Sequence, residues 1–110
     1  MLKREFYNMH ADICKTISNP NRQAIIDNLR EKEMSVTEII NRTGLSQANL
    51  SQHLGILRRN GIVETRREGA HIYYRISSAK VVKACQLMRE VLLERLNMSR
   101  ELARLVEEID

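Results

Sequence analysis

The apolar positions divide the chain into stretches of two different periods. Over residues 3–17, Phe6, Met9, Ile13 and Ile17 recur every three or four positions, the spacing of one face of an α-helix. Asn19-Pro20 then punctuates the chain, with Asn as N-cap and Pro at the first helical position, where it loses no hydrogen bond. A second helix follows, with Ile25, Ile26 and Leu29 facing inward. Ser35 and Glu38 have the S-x-x-E spacing of a capping box, which predicts a short third helix carrying Ile39 and Ile40. Gly44 supplies a sharp turn and Ser46 caps a fourth helix, whose apolar stripe is Leu50, Leu54 and Leu57. Gly61 ends it.

Beyond Gly61 the period falls from 3.6 to 2. Residues 62–67 and 71–76 are β-rich runs joined by Glu68-Gly69-Ala70, which predicts a hairpin. The helical period returns from Ala79 to about Ile109, with Val81, Cys85, Met88, Leu92, Leu96, Leu102, Val106 and Ile109 on one seam and room for a break near Asn97–Ser99. That seam is longer than a small domain can cover, and left bare it would form the kind of patch that marks an interface. With the stripe on the first helix, it predicts that the terminal helices pair across a dimer, through Phe6, Met9 and Ile13 on one and Met88, Leu92 and Leu96 on the other. The alternative is a tail that folds back on its own domain.

The order of elements is α-α-α-α-β-β-α: mainly α with a β-hairpin wing, a winged helix-turn-helix. One domain is expected over residues 1–110. Within it, 1–18 and 79–110 are the dimerisation helices, 35–60 the helix-turn-helix and 62–76 the wing.

Charge adds to this picture through its distribution. The 110 residues carry a formal charge of +4. Residues 35–76 hold six Arg against three Glu, whereas residues 86–110 hold four Arg against six acids. Basicity therefore sits on the helix-turn-helix and the hairpin, as nucleic acid requires. With no apolar run long enough for a bilayer and no secretory signal pattern, a cytoplasmic location is expected and membrane partners are not. Cys14 and Cys85 are too few for a disulfide scaffold or a CxxC metal site. No catalytic constellation and no Gly-rich phosphate loop is present, so an enzyme is not expected, nor is a cofactor.

The fourth helix carries the most specific chemistry. Opposite its leucines stand Ala48, Gln52, Gly55 and Arg59, flanked by Asn49 and Ser51, a face that is small, amide-rich and free of acid. A helix entering the major groove needs small residues so that its backbone approaches the base edges. Gln52 and Asn49 carry amides that donate and accept together, as a bidentate contact to adenine demands, and Ala48 suits a thymine methyl. Ser46 and Gln47 begin the helix, where backbone N–H groups and the positive helix end favour a phosphate. Arg58 and Arg59 reach for phosphates near the other end. Gly55 is the costly residue, about 1 kcal/mol worse than Ala in a helix interior, and close approach to DNA is a reason for it. On the hairpin, Arg66, Arg67 and His71 are candidates for the adjacent minor groove or its phosphates. His53 lies off the leucine stripe, as a boundary residue of the core or a phosphate contact.

These segments resemble a known family. The runs KTISNPNRQAIIDNL and LSQANLSQHLGILRRNGIVETRREGAHIYYRIS, with the flanking helices, are similar to the ArsR/SmtB winged-helix repressors over essentially the whole chain. The resemblance implies a homodimer, built from the terminal helices and bound to a roughly palindromic operator. It also implies release when a metal, metalloid or redox signal arrives. At the family's sensor sites this sequence departs from the pattern. One metal site uses Cys-x-Cys in the first helix of the turn motif, where this chain reads Thr37-Glu38-Ile39-Ile40-Asn41. The other falls on Ser78, Lys80, Val91 and Glu94, of which only the last keeps a ligand type. The positions of the dithiol-sensing branch hold Asp27 and Leu93. No metal site is therefore expected, although His10 lies four residues before Cys14 on one helical face. Cys14 and Cys85 remain as candidates for a redox sensor, or as small hydrophobes of the core.

The expected function is a homodimeric, sequence-specific DNA-binding repressor, released by a chemical signal for which thiol chemistry fits better than metal. The alternative is a winged-helix module that binds protein and not DNA.

Overall fold

Side-chain caps fix where the helices begin. In this computed structural model, which describes residues 2–96 and 100–109, Asn19 Oδ1 accepts from the N–H groups of Asn21 and Arg22 at 2.9 and 3.1 Å, starting the second helix at Pro20. Ser35 and Glu38 form the reciprocal capping box, and Ser46 Oγ accepts from the Asn49 N–H at 3.1 Å. The elements are α1 (Lys3–Ile17), α2 (Pro20–Leu29), β1 (Met34–Ser35), α3 (Val36–Thr43), α4 (Gln47–Arg59), β2 (Val63–Glu68), β3 (His71–Ile76), α5 (Ala79–Arg95) and α6 (Arg100–Glu107).

Two features extend the expected order. The hairpin is part of a three-stranded antiparallel sheet, β1-β3-β2, because Met34 and Ser35 pair with Tyr74 and Tyr73. The C-terminal seam is carried by two helices, α5 and α6; the break expected near Asn97–Ser99 lies outside the described residues.

The core is the meeting of α2, α3 and α4 with the root of the sheet. Ile25, Ile26, Leu29, Met34, Ile39, Leu50, Leu54, Leu57, Ile62 and Val63 are all buried. Each such side chain contributes about 1.5–3 kcal/mol relative to exposure. At the end of α4, Gly61 has a φ of 74°, a left-handed conformation that lets the Ile62 N–H reach back to the Leu57 carbonyl at 2.9 Å. That reversal places Ile62 and Val63 in the core and launches β2.

α1 and α5 stand at the margin of this core. Thr16 and Ile17 anchor α1, and Arg22 Nε of α2 donates to the Thr16 carbonyl at 2.6 Å. Val81, Val82 and Cys85 pack α5 on the core. The rest of both seams is bare: Phe6, Met9, Ile13, Met88, Leu92 and Leu96 are all exposed.

Candidate nucleic-acid interface

α4 turns its leucines inward, and this fixes what the opposite face offers. Ser46, Gln47, Ala48, Asn49, Ser51, Gln52, Arg58 and Arg59 are all exposed. The Ser46 hydroxyl caps Asn49, so among the described residues the Gln47 and Ala48 N–H groups find no protein acceptor at this helix end. A methyl group added at Gly55 would meet only the flexible Arg59 guanidinium, at 3.7 Å. Nothing among the described residues therefore demands glycine there. His53 is half-buried at the edge of the stripe, its Nδ1 3.4 Å from Arg22 Nη1, which ties α4 to α2.

The hairpin separates residues that adjacency in sequence had grouped. Its register pairs Glu64 with Arg75, Arg66 with Tyr73 and Glu68 with His71, so these six share one face; Thr65, Arg67, Ile72 and Tyr74 share the other. On the first face the charges are already matched. Arg75 Nε donates to Glu64 at 2.7 Å. Arg66 Nη1 donates to Glu68 at 2.6 Å, while its Nε and Nη2 donate to Glu33, which immediately precedes β1. Its guanidinium carbon stands 4.8 Å from the Tyr73 ring centroid. The Arg66 hydrogen bond and positive charge hold the Glu33 carboxyl below the usual range, against a smaller desolvation, and the two carboxylates raise the pKa of Arg66. His71 is exposed beside Tyr73. Arg67 is exposed on the opposite face and has no ion pair among the described residues.

The candidate sensor residues also come together. Cys14 of α1 and Cys85 of α5 both open on a cavity of about 440 Å³ between α1, α2 and α5, walled by Ile17, Ile26, Val82 and Leu92. Both thiols are free; Cys14 is exposed and Cys85 half-buried. Desolvation pushes the Cys85 thiol up, Arg89 opposing and Asp27 adding to the shift. Asp27, on the same wall, pairs with Arg30 at 3.1 Å and lies 3.7 Å from Arg89. Among the described residues, no group of three or more His, Cys, Asp or Glu is placed to hold a metal ion.

An exposed, acid-free helix at the end of a helix-turn-helix, beside a basic hairpin, defines a winged helix-turn-helix domain. Comparison with known proteins agrees. A family model described as a helix-turn-helix domain matches residues 17–66. The chain is similar to the biofilm growth-associated repressor of Xylella fastidiosa, with 45% identity over 73 residues, 66% of this chain and 64% of that protein, so it spans just under two thirds of that relative's length. It is also similar to the crystal structure of Rv0081 from Mycobacterium tuberculosis, at 36% identity with a TM-score of 0.77, covering 84% of this chain and 93% of that one. The homodimeric winged helix-turn-helix DNA-binding domain Mb0332 from Mycobacterium bovis superposes with a TM-score of 0.78 at 31% identity, covering 91% and 94%. The chain belongs to the ArsR/SmtB family of winged helix-turn-helix regulators.

Glu33 and Tyr73 had no place among the sequence candidates. Only strand alternation, which sets Arg66 and Arg67 on opposite faces, carried a signal that the two arginines differ.

Proposed function

We propose that the protein is a homodimeric, sequence-specific DNA-binding transcriptional repressor acting in the cytoplasm, a binder and not a catalyst. The observation that carries this reading is the exposed face of α4, with Gln47, Ala48, Asn49, Ser51 and Gln52 free of any acidic neighbour on the helix. The buried leucines on its other side hold that face out as a rigid unit. Gln52 and Asn49 read base edges, Arg58, Arg59 and Arg67 meet phosphates, and His71 lies at the wing tip.

Mobility shifts with the protein's own promoter DNA against random competitor duplex test this directly. Binding with no preference for the promoter sequence would refute sequence-specific repression. No binding at physiological salt would instead favour a protein-docking module. Gln52→Ala is expected to cost about 1–3 kcal/mol on the preferred sequence and to relax preference at one position. Arg67→Ala should weaken binding to all sequences alike and flatten the salt dependence by about one unit of slope.

The exposed seams of α1 and α5 supply the dimer face, in keeping with the homodimeric relative. Release of DNA is assigned to the thiol pair, because Cys14 and Cys85 share one cavity between two helices of that face. Hydrogen peroxide would take two electrons from the two thiols, forming one S–S bond while the peroxide O–O bond breaks and, with the two thiol protons, gives two waters. Exposed Cys14 is the first to react, since it is the more accessible thiol and burial pushes the Cys85 thiol up, lowering its share of thiolate. Operator binding by the wild type should fall after peroxide and recover with reductant, whereas Cys14→Ser and Cys85→Ser should stay bound. Equal responses from all three proteins would remove the switch.

A further inference from the structure

The hairpin's two neighbouring arginines are built for different tasks. We propose that Arg66 is a positioning residue, which clamps the wing to the segment leading into the helix-turn-helix through Glu33, Glu68 and Tyr73, and does not itself neutralise a phosphate. The inference rests on the DNA-binding reading for its consequence, though the clamp itself does not.

Three sides of the guanidinium are occupied. Nε and Nη2 form a fork onto Glu33, Nη1 is held by Glu68, and the flat face lies over Tyr73. This is the bidentate, stacked geometry that arginine holds and lysine cannot. Reaching for a phosphate would break all of it and leave two carboxylates facing a polyanion. Arg67, exposed on the other face of the strand, has no such cost.

The location of Glu33 gives the clamp its purpose. Glu33, Met34 and Ser35 are consecutive, and each joins a different part of the fold. Glu33 holds Arg66 of the wing, Met34 is buried in the core and pairs with Tyr74, and Ser35 pairs with Tyr73 while capping α3. Wing and helix-turn-helix are thereby fastened to the same three residues. An isolated exposed ion pair adds little stability. What a bidentate pair at this point supplies is a fixed angle between the hairpin and α3, and hence between the wing and the groove-reading helix that follows.

The sign of one substitution separates clamp from contact. Glu33→Ala removes the fork on Arg66, leaving Nε and Nη2 unpaired beside the Glu68 contact, and raises the net charge by one. If Arg66 were a phosphate contact held in reserve, operator binding would tighten and its salt dependence would steepen. The clamp requires the reverse: affinity falls several-fold, the salt slope is unchanged, and hydroxyl-radical protection is lost at the operator flanks while the central protection persists. Arg66→Lys keeps the charge and should lose binding to a similar degree; wild-type affinity for that variant would overturn the proposal. Hydrogen exchange in the free protein decides the clamp independently of DNA. The amides of residues 63–76 should exchange faster in Glu33→Ala, with the melting temperature little changed. Unchanged exchange would defeat the clamp even with operator binding intact. Absent sequence preference in the wild type would defeat the DNA reading and leave the exchange result to decide the clamp alone.

Discussion

Leu50→Ala is expected to destabilise the protein by about 2–5 kcal/mol, the range for removing a leucine from a well-packed core. Leu50 is fully buried, as are Leu57, Ile25 and Ile39 of the same core cluster. A domain of this size has a total stability of about 5–15 kcal/mol. The substitution therefore removes a large share of it and should lower the melting temperature by roughly 10 °C or more. Two residues along the same helix, Gln52→Ala removes an exposed amide and should leave the melting temperature almost unmoved. The pair is informative because both would reduce operator binding, one by unfolding the reader and the other by blanking what it reads. Urea titration separates them. A Leu50→Ala protein that unfolds at the wild-type midpoint would mean that α4 is not held by its leucine stripe.

Much of this architecture is legible because the chain marks its own boundaries. Asn19-Pro20, the Ser35–Glu38 box and Ser46 are local devices, each satisfied within four residues, so sequence alone locates the helix starts that the structure contains. The drop from period 3.6 to 2 after Gly61 is equally local. What escaped is long-range. Strand β1 is two residues long and has no period of its own; it exists because Met34 and Ser35 meet β3 about forty positions later. Glu33, the bidentate partner of Arg66, lies thirty-three positions away, so that half of the clamp leaves no local trace.

Helical period also cannot distinguish residues that pack at home from residues that pack elsewhere. Val81 and Cys85 share a seam with Met88 and Leu92, yet only the first pair meets the core of its own chain. The two cysteines, seventy-one positions apart, gave no sign of sharing a cavity with Asp27.

Introducing a charge into the bare seams should have the largest effect on operator binding. Met9 of α1 is 58% exposed and Met88 of α5 66% exposed, so neither supports the protomer's core. Met9→Glu or Met88→Glu should therefore leave the secondary structure intact while placing a carboxylate where two apolar faces would meet. The expected result is a monomer by light scattering at micromolar concentration. The consequence for DNA follows from valence. In the proposed dimer two recognition helices would engage adjacent major-groove half-sites, the second at high effective concentration, a gain of roughly 10²–10⁴ in avidity. The monomer should lose at least about a hundredfold in operator affinity, and its salt slope should fall to about half, since it neutralises half the phosphates. A half-site duplex should bind wild type and variant nearly alike, because α4 itself is untouched. A variant that remains dimeric would place the interface elsewhere, and a monomer with full operator affinity would remove the need for two-fold symmetry in recognition.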